Sequence, residues 1–501
     1  MSKKSFFIDI STTFIAQIIA AILGIVVLKI ISFYLSEETF GAYLISRRTA
    51  GIGFTLVSLN LGMSMARYIN INKAKSEFYL LSSILFSSCI CLILTVIMHV
   101  FKPAVAQALF GSVEYIQLIN PTILMIYAYT FQAICSGYHR GLSNFSKMNL
   151  INISFNSFAL LSIIVFLNNS QETQDILQKY LYSFATLSIV FNWYLLFNNK
   201  QTKMKLISSV KSKRKIKELI NEQDFFKYGV SRLPSSFFFS LIFFIPIIAA
   251  SNNLSLVAAA YIGIIISIVR IIQITGIPFN LLLLPKFSLY QSSEQKETIS
   301  RYCQLIIDFI ISVMPLIGLL LYLFSSEIII LWFGNKYTAV NGYLNIVSPF
   351  LGPFIGYFII RGILDGLSEF PYSNIINAIG VIIVTLFTGL SIIFSWGISG
   401  IIVSFCLGIF AIGIAAMIVL IRLQHLRIFN RNNVLALIII SVLFILVSFL
   451  KSQLIIESIL ISIILKSIFT LVVGTVLLLT YHKMGYTWLD ELPLSIIGNR
   501  K

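Results

Sequence analysis

Seven ionisable side chains fall inside stretches of the chain that are otherwise apolar: Lys29, Arg47, Arg48, Arg232, Arg270, Asp308 and Lys466. An ionisable residue at bilayer depth costs about 2.5–3.5 kcal/mol on insertion scales and marks a pathway for ions or substrate. All but one of these residues are cations. A cavity with that balance wants an anion. Arginine in particular suits pyrophosphate, because its planar fork holds two oxygens at once.

Spacing ranks the candidates. At 100° per residue, Gly51, Thr55, Ser58 and Gly62 form a small, polar stripe, and Arg47 and Arg48 flank it on either side. Arg270 shares a face with Gly263, Ser267 and Gln273. Lys466 lies on a period-four row of Ser458, Ser462, Thr470 and Gly474. Such rows also serve plain helix packing, but packing does not account for the cations on them. Lys29 stands off the small, polar face of its segment (Thr13, Gln17, Ala20, Gly24), and snorkelling explains it as well as function does. Arg232 lies close to a segment end and is read as a snorkelling residue. Asp308 is the clearest lone acid at depth, on a face with Gln304 and Ser312. It either neutralises an arginine or titrates in an ion-coupled cycle. Asp365 follows Arg361 by four residues, the spacing of a local ion pair.

Other chemistries find no residues to carry them. His99, His139, His425 and His482 are scattered without metal-ligand spacing, and no phosphate-cradling Walker loop occurs. Nothing resembles a nucleophile–base constellation, so neither an enzyme nor a metal or cofactor site is expected. The five cysteines all fall in apolar segments, where buried thiols are usual. A net charge of +17 would admit nucleic acid as a partner, but the cations sit in short loops between apolar segments. Topology and anionic lipid headgroups explain them better.

The elements that must position these residues are membrane spans. With 58% hydrophobic and 11% charged residues and a mean hydropathy of +0.93, the chain reads as an all-α polytopic membrane protein. At about 20 residues per span, fourteen segments qualify: roughly 10–34, 42–66, 78–100, 116–138, 148–167, 179–197, 228–250, 255–277, 302–324, 339–361, 374–394, 397–421, 433–450 and 456–480. The second is weakened by Arg47 and Arg48. The first reads as a span rather than a removable signal, because its apolar run continues to about Tyr34 without a cleavage site. Cations concentrate in alternate loops. One set holds Lys3, Lys4, Arg67, Lys73, Lys75, Arg140, Lys147, Lys286, Lys296, Arg301, Arg422, Arg427, Arg431, Lys483, Arg500 and Lys501, together with the linker at 200–224. The opposite set holds only Lys102, Lys179, Lys336 and Lys451. This asymmetry predicts both termini on the cytoplasmic side.

The linker, the one long polar stretch, is expected to be a basic, surface-lying amphipathic helix joining two halves. A repeat supports the division. "GYHRGLSNFSKMNLINI" from Gly137 aligns without a gap to "GILDGLSEFPYSNIINA" from Gly362, and "LFGSVEY" upstream echoes "WFGNKY". Both copies join the fourth span of a half to its fifth. The expected organisation is therefore an N-lobe at 1–199, the linker at 200–224, a C-lobe at 225–424, and two extra spans with a tail at 425–501. Two parallel six-helix repeats around a central cavity are a transporter design.

One stretch carries a family resemblance: "FGAYLISRRTAGIGFTLVSLNLGMSMARYI", Phe40 to Ile69, with its early FGxY, later LG and terminal RY. With the GLS corner of each half and the basic linker, it resembles the Wzx-like polysaccharide flippases. These belong to the multidrug/oligosaccharidyl-lipid/polysaccharide exporter superfamily. The resemblance covers the whole chain through loose motifs. It implies two six-span lobes around a cationic cavity that takes the pyrophosphate and sugars of an undecaprenyl-linked oligosaccharide of O-antigen or capsule type, moved by alternating access. By position it implies Arg47, Arg48 and Arg270 as cavity residues, with Lys29 a looser match and Lys466 added from its own row. It further implies residence in a bacterial cytoplasmic (inner) membrane, with a polysaccharide polymerase and a chain-length regulator as partners. The doublet Arg47-Arg48 departs from the expected single arginine, and fourteen spans resemble the lipid II branch. A drug/toxin extruder-like exporter, a lipid II-type flippase and a membrane enzyme of glycan assembly stand as alternatives.

Overall fold

A computed structural model describes residues 3–166, 173–197, 223–276, 296–368, 370–426, 430–453 and 458–486, with isolated positions between 277 and 295. All regular structure among them is helical. Twelve helices are individually long and apolar enough to cross a membrane, and a bent pair brings the number to thirteen. The remaining expected segment, 179–197, corresponds to helix Thr173–Phe197, which is long enough at 25 residues but carries Asp175, Lys179 and Asn192. The basic linker lies outside the described residues up to its last two positions.

Contacts divide the chain into two compact units, Met1–Gly263 and Ile264–Lys501. The first contains α1 (Lys3–Tyr34), α2 (Glu37–Ser58), α3 (Leu61–Ile71), α4 (Ser76–Val100), the short α5 (Lys102–Phe110), α6 (Ile119–Gly141), α7 (Phe145–Phe166), α8 (Thr173–Phe197) and α9 (Gln223–Asn253). Here α6 is the axis, packed against α2, α3, α4, α7 and α8. Helix α9 packs on α2, α3 and α5. Its contacts thus place it in the first unit, whereas the sequence division at residue 225 assigns it to the C-lobe.

Helix α10 (Leu256–Gln273) begins in the first unit, capped by the Ser255 hydroxyl, which accepts from Ala258 N at 3.0 Å. The second unit continues with α11 (Lys296–Leu323), the short α12 (Ser325–Phe333) and α13 (Val340–Val347), and then α14 (Leu351–Leu367). It ends with α15 (Tyr372–Ile393), α16 (Gly397–Gln424), α17 (Arg431–Gln453) and α18 (Ile459–Lys483). Helix α14 packs on α11 and α16 and is buried along nearly its whole length.

The repeated sequences have matching local structure. Each follows a short helix that stops at a glycine with positive φ, Gly111 at 71° and Gly334 at 88°. A 3-10 turn comes next, Val113–Leu118 or Asn335–Tyr337. Each GLS corner then closes a central helix, α6 or α14, and precedes the next long one.

The expected second span, 42–66, is two helices rather than one. Helix α2 starts well: the Ser36 hydroxyl accepts from Thr39 N at 3.2 Å, and Glu37 and Glu38 complement the helix N-terminus. It stops at Leu59 and Asn60, both in the left-handed region (φ 46° and 54°), and α3 restarts at Leu61 bent by 42°. Left-handed backbone on a leucine is costly and persists only where the surroundings enforce it. The Asn60 amide donates to the Ser236 hydroxyl at 3.1 Å and helps hold the break.

Candidate functional site

Beside this break lies a cavity of about 380 Å³ with mixed polar and apolar walls. It is lined by α2 (Phe54, Ser58), the break itself (Asn60), α3 (Gly62, Met63), α6 (Tyr129, Gln132, Ala133, Ser136, Gly137, Arg140) and α7 (Asn152, Phe155). The walls meet closely because Gly62 and Gly137 pack backbone to backbone. A Cβ on Gly137 would stand 2.4 Å from the Gly62 carbonyl oxygen. Ser58 and Gly62, expected on one stripe, belong to different helices and still line the same cavity.

Arg47 and Arg48 approach this cavity through Tyr129. Arg47 is half-buried, with the phenols of Tyr129, Tyr43 and Tyr180 close by. Tyr180 stacks in turn on Phe184, with ring centroids 6.2 Å apart. Arg48, also half-buried, lies within electrostatic reach of the same Tyr129. Phenols beside a cation leave its charge unneutralised. Nothing in the sequence tied the tyrosines to the arginines, since Tyr43, Tyr129 and Tyr180 come from three separate helices.

The remaining sequence candidates are distributed as follows. Lys29 is exposed on α1, one turn from the helix end. Arg270 lies in the last turn of α10, which passes at Gln273 into the 3-10 turn Ile274–Gly276, and falls within the candidate span Leu256–Gly276. That end carries partial negative charge and favours a cation. Lys466 is paired: its ammonium meets the Glu327 carboxylate of α12 at 2.5 Å, and Glu327 also accepts from the Ser462 hydroxyl. This partner, absent from the sequence expectation, offsets the cost of burying the lysine.

Asp308 meets amides. Its Oδ1 accepts from Asn433 at 2.8 Å, Gln304 at 3.0 Å and Asn430 at 3.4 Å. Asn433 accepts in turn from the Tyr486 hydroxyl at 3.1 Å. Asp308 therefore fastens the start of α17 to α11, and no cation pairs with it among the described residues. Arg361 and Asp365 form the expected local pair at 3.7 Å. Four of the cysteines are buried and Cys89 is exposed.

The chain is helical and many-spanned, with arginines beside a cavity of mixed polar and apolar walls. Its fold recurs in solved structures. It superposes on an inward-facing multidrug resistance MATE family transporter of the MOP superfamily with a TM-score of 0.65 at 13% identity, covering 81% of this chain and 94% of that one. It superposes equally on the lipid II flippase MurJ in an inward closed conformation. There the TM-score is 0.64 at 17% identity, with 94% of this chain and 98% of the other covered. A MATE transporter of Vibrio cholerae follows with a TM-score of 0.58, 14% identity, and coverages of 84% and 97%. No curated protein sequence matches. Residues 8–291 match the family described as "Polysaccharide biosynthesis protein", and the chain belongs to that family. The resemblance read from Phe40–Ile69 thus holds: the chain is a member of the polysaccharide biosynthesis protein family, with a fold similar to that of MOP-superfamily transporters.

Proposed function

We propose that this protein is a flippase that carries an undecaprenyl-pyrophosphate-linked oligosaccharide from the cytoplasmic to the outer leaflet of a bacterial inner membrane by alternating access. One observation carries the reading. The polar groups lining the cavity of the first unit are Arg140, hydroxyls and amides, set among Phe54, Met63 and Phe155, with Arg47 and Arg48 behind Tyr129, and no carboxylate lines it among the described residues. Such walls attract a phosphate and hydrogen-bond sugars. An inside-negative potential adds a driving force. Each charge moved through 100 mV is worth about 2.3 kcal/mol, so a headgroup of about two negative charges gains roughly twice that on moving outward. Family membership supports the glycan assignment, and the MurJ-like fold supports a lipid-borne cargo. Placement of both termini in the cytoplasm rests on the loop cations, and a polymerase and chain-length regulator are the partners this role would need.

The test is Arg48→Ala and Arg270→Ala. Both variants are expected to reach the membrane at normal levels, to abolish surface polysaccharide, and to leave lipid-linked glycan on the cytoplasmic side. Unchanged surface polysaccharide in either variant removes that arginine from the path. A drug exporter on this fold is the second reading. It would need an acidic cavity for cationic drugs, and it predicts lost drug resistance with unaltered polysaccharide in a deletion strain.

A further inference from the structure

Three arginines gather at one corner of the first unit, and of these Arg140 alone also lines the cavity of the proposed path. Arg67 of α3 and Arg232 of α9 both lie over the ring of Tyr228, their guanidinium carbons 4.6 and 4.9 Å from its centroid. Arg140, in the last turn of α6, lies within electrostatic reach of the same tyrosine and also lines the cavity. The corner is built rather than incidental. Tyr228 packs edge-on against Tyr68 at 6.2 Å, and Tyr68 packs against Phe225, which stacks on Tyr79 at 4.8 Å. These rings border a core of Leu61, Met65, Ile69, Ile134 and Tyr138. The next residue of α9, Gly229, seats the helix directly on the Leu59 carbonyl at the helix break. The RY that closes the sequence motif is thus Arg67-Tyr68, and both residues meet Tyr228.

Arg67 and Arg140 bring like charges to this one ring and repel each other. A cation–π contact offsets only about 0.5–1 kcal/mol at an exposed site. Among the described residues neither Arg67 nor Arg140 pairs with a carboxylate. A doubly charged oxyanion would relieve this repulsion and accept bidentate bonds from two or three guanidinium groups. Arg67 and Arg140 both belong to the cation-rich loops and are exposed, so the corner is open to a ligand.

We propose that Arg67, Arg140 and Arg232 around Tyr228 form a phosphate-binding site at the mouth of the cavity. There a terminal phosphate or pyrophosphate lands before its headgroup enters between α2, α6 and α7. The site is distinct from Arg48 and Arg270. That it serves loading rests on the flippase reading above; that it binds phosphate does not.

The experiment uses the full chain in phosphatidylcholine nanodiscs. Arginines are labelled with phenylglyoxal and mapped by mass spectrometry, without ligand, with inorganic pyrophosphate, and with farnesyl pyrophosphate dissolved in the lipid. Labelling of Arg67, Arg140 and Arg232 is expected to fall several-fold with ligand. Protection by the lipid-borne probe alone assigns a lipid headgroup, and protection by pyrophosphate alone assigns the free ion. Protection by both assigns any terminal phosphate. No protection by either probe overturns the proposal. Protection confined to Arg48 and Arg270 does so too, while sparing the flippase reading. The triple variant Arg67→Gln, Arg140→Gln, Arg232→Gln is expected to bind radiolabelled pyrophosphate on the order of tenfold more weakly, in keeping with the loss of charge-assisted bonds. A folded triple variant with wild-type affinity overturns the proposal as well.

Discussion

At the scale of single residues, a buried charge acquires meaning from what stands next to it. Arg47 stands beside the neutral phenols of Tyr43, Tyr129 and Tyr180, which leave its charge available. Lys466 gives its charge up to Glu327. Their side chains retain only 17% and 7% of their exposure, so breaking the pair strands a charge away from water. Glu327→Ala is therefore expected to lower stability by about 3 kcal/mol or more in a detergent melt. The double variant Glu327→Ala, Lys466→Ala should recover much of that loss, because no lone charge remains. Burial by itself would raise the Glu327 pKa. The hydrogen bonds from Lys466 and Ser462 outweigh it and hold the carboxylate below its ordinary value of 4.5. A depressed carboxylate contributes stability that is complete above its unfolded pKa and lost as pH falls through the folded one. The wild-type protein should accordingly lose stability below about pH 4.5, and the double variant should lack that component. A double variant no more stable than Glu327→Ala would refute the pairing.

At the scale of elements, the cavity exists because three helices come together where one of them breaks. Gly62 and Gly137 let α3 and α6 touch backbone to backbone, and Gly229 does the same for α9 at the break. Gly137→Ala would place a methyl group 2.4 Å from the Gly62 carbonyl oxygen, a separation that side chains do not tolerate. Neither atom is the end of a flexible side chain, so the helices must move apart. Overpacking of this kind costs about 1–3 kcal/mol. It would also widen the cavity mouth and shift Arg140, three residues further along α6. The expected result is a lower melting temperature together with reduced transport. Gly51→Ala should be silent in both assays, since nothing lies within 4 Å of a Cβ there. Equal effects from the two substitutions would mean that the close approach of α3 and α6 does not shape the site.

At the scale of the whole molecule, the loop cations predict an orientation on which every site assignment depends. Single cysteines placed at Glu114 and Ser143, on a cysteine-free background, should label from opposite sides of the membrane. Ser143 should react only after a membrane-permeant reagent is added, as the charge asymmetry requires. Labelling of both from outside would invert the reading, and the arginine corner would then face the wrong leaflet for loading.

The sequence by itself determined the membrane class, the number of spans to within one or two, the repeated corner and the family. These are carried by properties summed over many residues, namely hydropathy over about 20 positions and charge asymmetry over many loops. It also determined which residues were expensive to bury. Only the tertiary structure decided which of those residues act together. Glu327 is far from Lys466 in the chain, and Asn433 is far from Asp308. Tyr129 and Tyr180 meet Arg47 from other helices, and Arg67, Arg140 and Arg232 converge on one ring. The break at Leu59–Asn60 was equally hidden, because no glycine or proline marks it and the neighbouring helices impose it. Periodicity reports the face of one helix. Which faces meet is set by packing between helices that lie far apart along the chain, and a single sequence does not encode that locally.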